Sequence, residues 1–347
     1  MKKVSAEFVS AVDIRGSNDQ SLLRRNEGQR QSATNLGLRD TPNKGQNAVS
    51  PAQIGRYDVL STLGRGGMGV VYHVRDRENH HEYALKTLPD MSRASSQTKA
   101  RFQREISSVR RLNHPAMVQY VDSEVSEQLS YLVMPFIQGV DVESLVSGSQ
   151  SMPLADVSEI IRQTAIGLAA AHEQMIIHRD VKPSNLMLSR TDAGNVQVKI
   201  LDFGVAISRG TLSDSTLTEE GQTLGTLDYM SAEQLSNSHH VDCSSDIYSL
   251  GATAFRLLSG FTPFQKVGKS PLKLMMAIRD SNAPEIQSVC PTIPLSIAGF
   301  LNRMLDREPS YRPRSMLEVA LTFEGYAAGH KLHEHLNGVR LTGAQNT

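Results

Sequence analysis

His178-Arg179-Asp180-Val181-Lys182-Pro183-Ser184-Asn185 is the stretch on which the reading of this chain turns. It sets an acid between two cations and ends on a carboxamide, and Pro183 breaks any regular element through it. A helix-patterned run precedes it. Asp156, with Glu159 three residues on, reads as an N-cap supporting Val157, Ile160, Ile161, Ala165 and Leu168, and the helix ends near Gln174. After the strand-like run 196–201 comes Asp202-Phe203-Gly204. That tripeptide alone is common, but its arrival about twenty residues beyond Asp180 is not.

Working outward, Gly64-Arg65-Gly66-Gly67-Met68-Gly69 lets the backbone turn tightly and brings N–H groups close to phosphate oxygens. A dinucleotide fingerprint would need a helix after it. Here Val70–Val74 reads as a second strand, which makes a β-hairpin lid or an ordinary glycine-rich hairpin. Alternation along Tyr83-Ala84-Leu85-Lys86 puts Ala84 and Lys86 on one face, although lone strand lysines are commonly solvated edges. On the helical run 97–112 the stripe Phe102, Ile106, Val109 and Leu112 also carries Glu105. A carboxylate there needs a partner or must snorkel to water. Opposite unit charges at about 4 Å attract by roughly 4 kcal/mol at an effective dielectric near 20, enough for Lys86 to hold such a helix.

The 347 residues are 39% hydrophobic and 21% charged, ordinary for a globular protein with a core. Lys+Arg (36) equals Asp+Glu (36), so no global field draws the chain to nucleic acid or membrane. Apolar runs are too short for a membrane span, and no cleavable leader follows Met1-Lys2-Lys3. Cys243 and Cys290 cannot build a disulfide framework or a four-cysteine zinc site, which suggests a reduced, cytoplasmic chain. Residues 1–55 are polar and read as a disordered arm. Short β-rich runs follow at 57–63, 69–75, 82–88, 117–122 and 130–136, then helical segments at 244–259, 271–280, 295–305 and 315–326. Residues 327–347 read as a polar tail.

Taken in order from Tyr57 to Tyr326, these motifs resemble the protein-kinase family, specifically the eukaryotic-like Ser/Thr kinases of bacteria. The resemblance includes Asn113-His114-Pro115, Gly225-Thr226-Leu227-Asp228-Tyr229-Met230, Ser245-Asp246-Ile247-Tyr248-Ser249-Leu250-Gly251 and Arg312-Pro313. It implies an α+β, bilobal kinase-like fold over 56–326. An antiparallel-sheet N-lobe with one main helix would span 56–137, and a mainly helical C-lobe 138–326. It implies ATP with Mg²⁺, or Mn²⁺, as cofactors and protein Ser/Thr hydroxyls as substrates. By the same resemblance Lys86 would hold the α/β-phosphates and pair with Glu105. Asp180 would take the substrate hydroxyl proton, Lys182 would face the γ-phosphate, and Asn185 and Asp202 would hold the metal. Gly64, Gly66 and Gly69 would cover the phosphates; Leu63, Val71, Ala84, Met134 and Met187 would enclose adenine. Val109, His178 and Phe203 look like part of a hydrophobic spine linking the lobes.

Arg179 would pair with a phosphate on the loop between Gly204 and Glu233, where Thr218 and Thr223, then Thr216, are the candidate acceptors; a merely solvated, hydroxyl-rich loop is the alternative. Two positions depart from the family. Ala232 stands where proline is usual, which predicts a softer loop anchor held by Glu233 and Arg312. Pro135 replaces a common acidic residue in the hinge, where its carbonyl and the Ile137 N–H would still meet adenine. A pseudokinase scaffold would call for loss of Lys86, Asp180, Asn185 or Asp202, and all four are present. A small-molecule kinase fits Lys182-Pro183 and 225–233 poorly. A cytoplasmic input signal, including homodimerisation through the small lobe, fits the absence of a membrane span; nucleic acid is not an expected partner.

Overall fold

A computed structural model describes residues 51–66, 69–88, 103, 106–107, 109–110, 112–126, 130–202, 224–236, 241–268 and 270–337. All belong to the second of two units, Val49–Thr347. Glu105, Phe203 and the candidate phosphate acceptors Thr216, Thr218 and Thr223 lie outside the described residues, as does the arm up to residue 50.

Six antiparallel strands form the small-lobe sheet: β1 Gln53–Ile54, which lies in the stretch read as a disordered arm, then β2 Tyr57–Gly66, β3 Gly69–Asp76, β4 Glu82–Thr87, β5 Asp122–Val125 and β6 Ser130–Pro135, in the order β1-β2-β3-β4-β6-β5. Period-two alternation divides their side chains between two faces. Tyr72, Val74, Leu85, Tyr131 and Val133 join Ile54 and Tyr57 in a small core on one face. Ala84, Leu132 and Met134 belong to the main core on the other, with Val71 packed against it. Glycine is required where the β2–β3 hairpin closes. Gly69 has φ +121°, and a Cβ there would lie 2.0 Å from the Thr87 carbonyl oxygen.

The run expected as a strand over 117–122 takes another role. Its first part bonds to the other lobe, Val118 N–H donating to the Ile200 carbonyl at 3.1 Å and Ile200 N–H to the Ala116 carbonyl at 2.7 Å, while Val121 N–H donates to the Val133 carbonyl of β6 at 2.8 Å. Strand β5 starts only at Asp122. Among the described residues of the expected helix 97–112, positions 103, 106, 107 and 109 are helical, and Ile106 and Val109 are buried, followed by buried Leu112.

The larger lobe has strands β7 Gly139–Asp141, β8 Leu186–Arg190 and β9 Val196–Ile200 under helices α1 Leu154–Glu173, α2 Leu224–Leu227, α3 Ala232–Ser236, α4 Cys243–Ser259, α5 Pro271–Asp280, α6 Leu295–Met304, α7 Met316–Glu324 and α8 Leu332–His335. Helix α4 is buried on every side from Ser245 to Ser259, which makes it the pillar of this lobe. Helix α1 starts two residues before the expected cap, behind Pro153. Asp156 turns elsewhere: its carboxylate accepts from the Lys331 N–H and lies 3.6 Å from His335 Nε2. That contact draws in the segment read as a polar tail. Leu332 and Leu336 are buried, so packing continues past residue 326. Apolar side chains so sparse in so polar a stretch leave no periodicity to detect. Among the described residues no helix is long and apolar enough to cross a membrane.

Helix α3 is anchored by charge. Arg312 Nη1 and Nη2 donate to the two Glu233 oxygens at 2.6 and 3.0 Å, and Ser245 Oγ adds a bond of 2.6 Å. The Arg312 side chain is fully buried and its guanidinium lies 5.1 Å from the Tyr248 ring centroid. Burial pushes the Glu233 carboxyl up, but the Arg312 and Ser245 bonds outweigh it and hold it below its ordinary value. The depressed folded value means this stabilisation is present above the ordinary carboxylate range and lost as pH falls through it. Removing one partner of such a pair costs about 3–5 kcal/mol, so Arg312→Ala should lower the unfolding free energy by that amount in denaturant titrations. Glu233→Gln should flatten the loss of melting temperature below about pH 4.3, and an unchanged acid profile would contradict the assignment.

Candidate active site

The catalytic-loop sequence folds around one buried carboxylate. Asp246, on the first turn of α4, is fully buried. Its Oδ2 accepts from the His178 N–H at 2.8 Å and lies 2.7 Å from His172 Nε2; its Oδ1 accepts from the Arg179 N–H at 2.8 Å. An ionised carboxylate only accepts, so His172 Nε2 carries the proton of that contact. Arg179 sits at φ +66°, a left-handed conformation that a side-chain-bearing residue keeps only when its surroundings enforce it. The Asp246 bond and a second one, from Gln234 Nε2 to the Arg179 carbonyl at 2.9 Å, supply that enforcement.

His178 carries the order one step further. Its Nδ1 accepts from the Asp180 N–H at 3.2 Å, which places the ring proton on Nε2, 2.8 Å from the Leu201 carbonyl. The Leu201 N–H donates to the Asn185 carbonyl at 2.9 Å. The two acidic loops are thereby tied to one another, and Asp202 follows at φ +57°.

On this frame the predicted residues converge. Lys182 Nζ lies 3.1 and 2.9 Å from the two Asp180 oxygens and 3.0 Å from Thr226 Oγ1. Asn185 Nδ2 donates to the Asp180 carbonyl at 2.7 Å and to its Oδ2 at 3.1 Å. The Asn185 nitrogen is thus committed, and its carbonyl oxygen is the end it offers to a cation. With the Asp202 carboxylate this gives the oxygen donors that Mg²⁺ prefers. Lys86 is 5% exposed and donates to Asp202 Oδ2 at 2.8 Å. Its expected partner Glu105 falls outside the described residues, so Asp202 is the counter-charge seen here.

Strand register brings the adenine candidates together in part. Val71 pairs with Lys86, and Ala84 with Met134. Met187 lies opposite Asp141 on the floor, where Gly139 crosses so close that a Cβ would meet the Leu188 carbonyl oxygen at 2.1 Å. Gly64 lies opposite Val71, and Gly66 opposite Gly69. Leu63 falls at the β2 irregularity between Thr62 and Gly64 and is 48% exposed. Pro135 ends β6, and Ile137 follows, half-buried.

A family model described as the protein kinase domain matches residues 57–321. The chain belongs to the protein kinase family. Among curated proteins it is 36% identical over 287 residues to a probable serine/threonine-protein kinase of Streptomyces coelicolor, covering 79% of this chain and 40% of that one. It is likewise 36% identical over 238 residues to the serine/threonine-protein kinase PknB of Mycobacterium leprae, covering 67% of this chain and 37% of that one. The chain therefore spans well under half the length of these relatives. Among solved structures, the PknI kinase domain of Mycobacterium tuberculosis superposes with a TM-score of 0.61 at 27% identity, covering 79% of this chain and 98% of that one. The antiparallel small lobe and helical large lobe are those of the kinase fold.

Sequence reasoning missed the roles of Asp246, His172 and Gln234. Asp246 stood inside a motif of the resemblance, but its three donors come from other elements. Asp246→Ala would leave two buried amides without an acceptor, at about 1–3 kcal/mol each. Hydrogen exchange at His178 and Arg179 should therefore accelerate well beyond exchange in the distant α7. Equal protection in variant and wild type would show that the loop is held by something else.

Proposed function

We propose that this chain is an ATP- and Mg²⁺-dependent serine/threonine protein kinase. The observation that carries the reading is the Asp180–Lys182–Thr226 contact, in which the candidate base is aimed by a lysine that also reaches the substrate-side loop. Asp180 accepts the proton of the incoming Ser or Thr hydroxyl as its oxygen bonds to the γ-phosphorus and the bond to the bridging oxygen breaks, releasing ADP. Lys182 faces the γ-phosphate, and Lys86 the α/β-phosphates. Gly64, Gly66 and Gly69 supply the backbone over them. Asn185 and Asp202 would hold Mg²⁺, which when bound neutralises phosphate charge; Mn²⁺ suits the same oxygen donors. Loose phosphoryl transfer needs positioning and charge neutralisation more than covalent chemistry, and this loop is built for positioning.

Adenine would meet the Pro135 carbonyl and the Ile137 N–H, enclosed by Leu63, Val71, Ala84, Met134 and Met187. Glu105 would join Lys86 in the active arrangement. The substrates would be proteins, in the cytoplasm. The reading also includes a homodimer through the small lobe.

The purified chain given Mg²⁺ and labelled ATP should place label on Ser or Thr. Asp180→Asn should cut transfer by about 10²–10⁴-fold, and undiminished label in that variant would sink the mechanism. Arg179 Nε is buried with no hydrogen-bond partner among the described residues, which fits a cation awaiting an anion. Phosphate mapping of active protein should accordingly find Thr218 or Thr223 modified, with Thr216 next. A loop without phosphate would remove Arg179 from regulation.

A further inference from the structure

On the cleft face of β3 and β4, Val71 stands opposite Lys86 and His73 opposite Ala84, with the Arg75–Glu82 pair beyond them. Val71, Ala84 and Lys86 already have parts in nucleotide binding. His73 completes the set at the end of the sheet next to the hinge. Its imidazole stacks on the Phe136 ring, with centroids 4.0 Å apart and planes 16° from parallel. Phe136 is the middle residue of Pro135-Phe136-Ile137, between the carbonyl and the N–H assigned to adenine.

The imidazole is itself fixed. His73 Nε2 lies 2.9 Å from Glu82 Oε2, and the other Glu82 oxygen accepts from Arg75 Nη2 at 2.9 Å. The Arg75 bond, helped by His73, holds the Glu82 carboxyl below its ordinary value, so it is an acceptor and the histidine nitrogen facing it is the donor. Glu82 pairs directly with Arg75 across β3 and β4, so this clamp is part of the ladder. Strand β6 ends at Pro135, whose pairing with Tyr83 is the last of that ladder, and proline brings no N–H. Immediately beyond the ladder, the aromatic stack takes over.

We propose that His73 is a positioning residue for the nucleotide: by stacking on Phe136 it fixes the hinge so that the Pro135 carbonyl and Ile137 N–H stand in register with the adenine edge. The inference rests on the kinase reading of the site. His73 acts through Phe136, so its removal should weaken nucleotide binding more than the chemical step. Aromatic pairs of this kind are worth a factor of about 2–12 in an equilibrium constant.

The test uses the full chain, with ATP affinity measured by direct binding and by KM, kcat from steady-state transfer, and melting temperature as the folding check. His73→Ala should raise the ATP KM by about 2- to 12-fold with a smaller change in kcat. His73→Gln, which keeps a donor for Glu82 but loses the ring, should do the same; it carries the test if the alanine variant does not fold. His73→Phe, which keeps the ring but loses the donor, should recover most of the affinity. An affinity unchanged in His73→Gln, or a loss that His73→Phe does not repair, overturns the proposal. Wild-type protein that binds ATP without transferring phosphate overturns the proposed activity and leaves the hinge role standing on the binding data. Protein that binds no ATP overturns both.

Discussion

One fully buried carboxylate sets the geometry on which the rest of this protein depends. Asp246 is carried by the most deeply packed helix of the large lobe and accepts from two consecutive backbone amides and one imidazole. A charge without water is costly unless its lone pairs are filled, so helix and loop hold one another in a single arrangement. The catalytic loop is irregular and, at Arg179, left-handed. It has no ladder of its own to define it. Its conformation is borrowed from α4, whose rigidity comes from apolar packing on every side.

From that point order passes outward through short polar links. His178 connects the loop to the Leu201 carbonyl, Asn185 returns the contact to the Leu201 N–H, and Asp202 meets Lys86 from the other lobe. Gln234 ties the substrate-side segment to Arg179, while Glu233 beside it is locked onto Arg312. A second crossing between the lobes is purely backbone, where 116–118 pairs with Ile200. The acid, the cations and the carboxamide are thus placed by several elements at once, so that the small displacements that disable positional catalysis are resisted from more than one side.

Much of this was legible in the order of residues. Alternation located β2, β3, β4 and β6 because each has one face against a core, but not β1, whose two residues are too few to show a period. The helical stripe found α1 and α4–α7 to within a residue or two at most ends. Lys86, Asp180, Lys182, Asn185 and Asp202 stood out because phosphate chemistry restricts which residue types stand at which spacing, and the fold brings Lys86 to Asp202 and both Lys182 and Asn185 to Asp180. Other features escaped for physical reasons. Asp156 looked like a helix cap, yet its partners are Lys331 and His335 far along the chain. Residues 117–121 had the composition of a strand, but strand composition does not say which edge will accept the hydrogen bonds. The stretch from 327 on is too polar to show a pattern, although Leu332 and Leu336 are buried.

By itself the sequence determined the family, the two-lobe architecture and the residue types of the candidate site, since local propensity and residue type are properties of the chain. Only the tertiary structure decided who holds whom. Asp246 under the loop, His178 against the Leu201 carbonyl, Lys86 against Asp202 and His73 against Phe136 are contacts between residues distant in sequence or on different elements. The free energy of such a contact depends on distance, orientation and exclusion of water, and those three quantities exist only once the chain has packed.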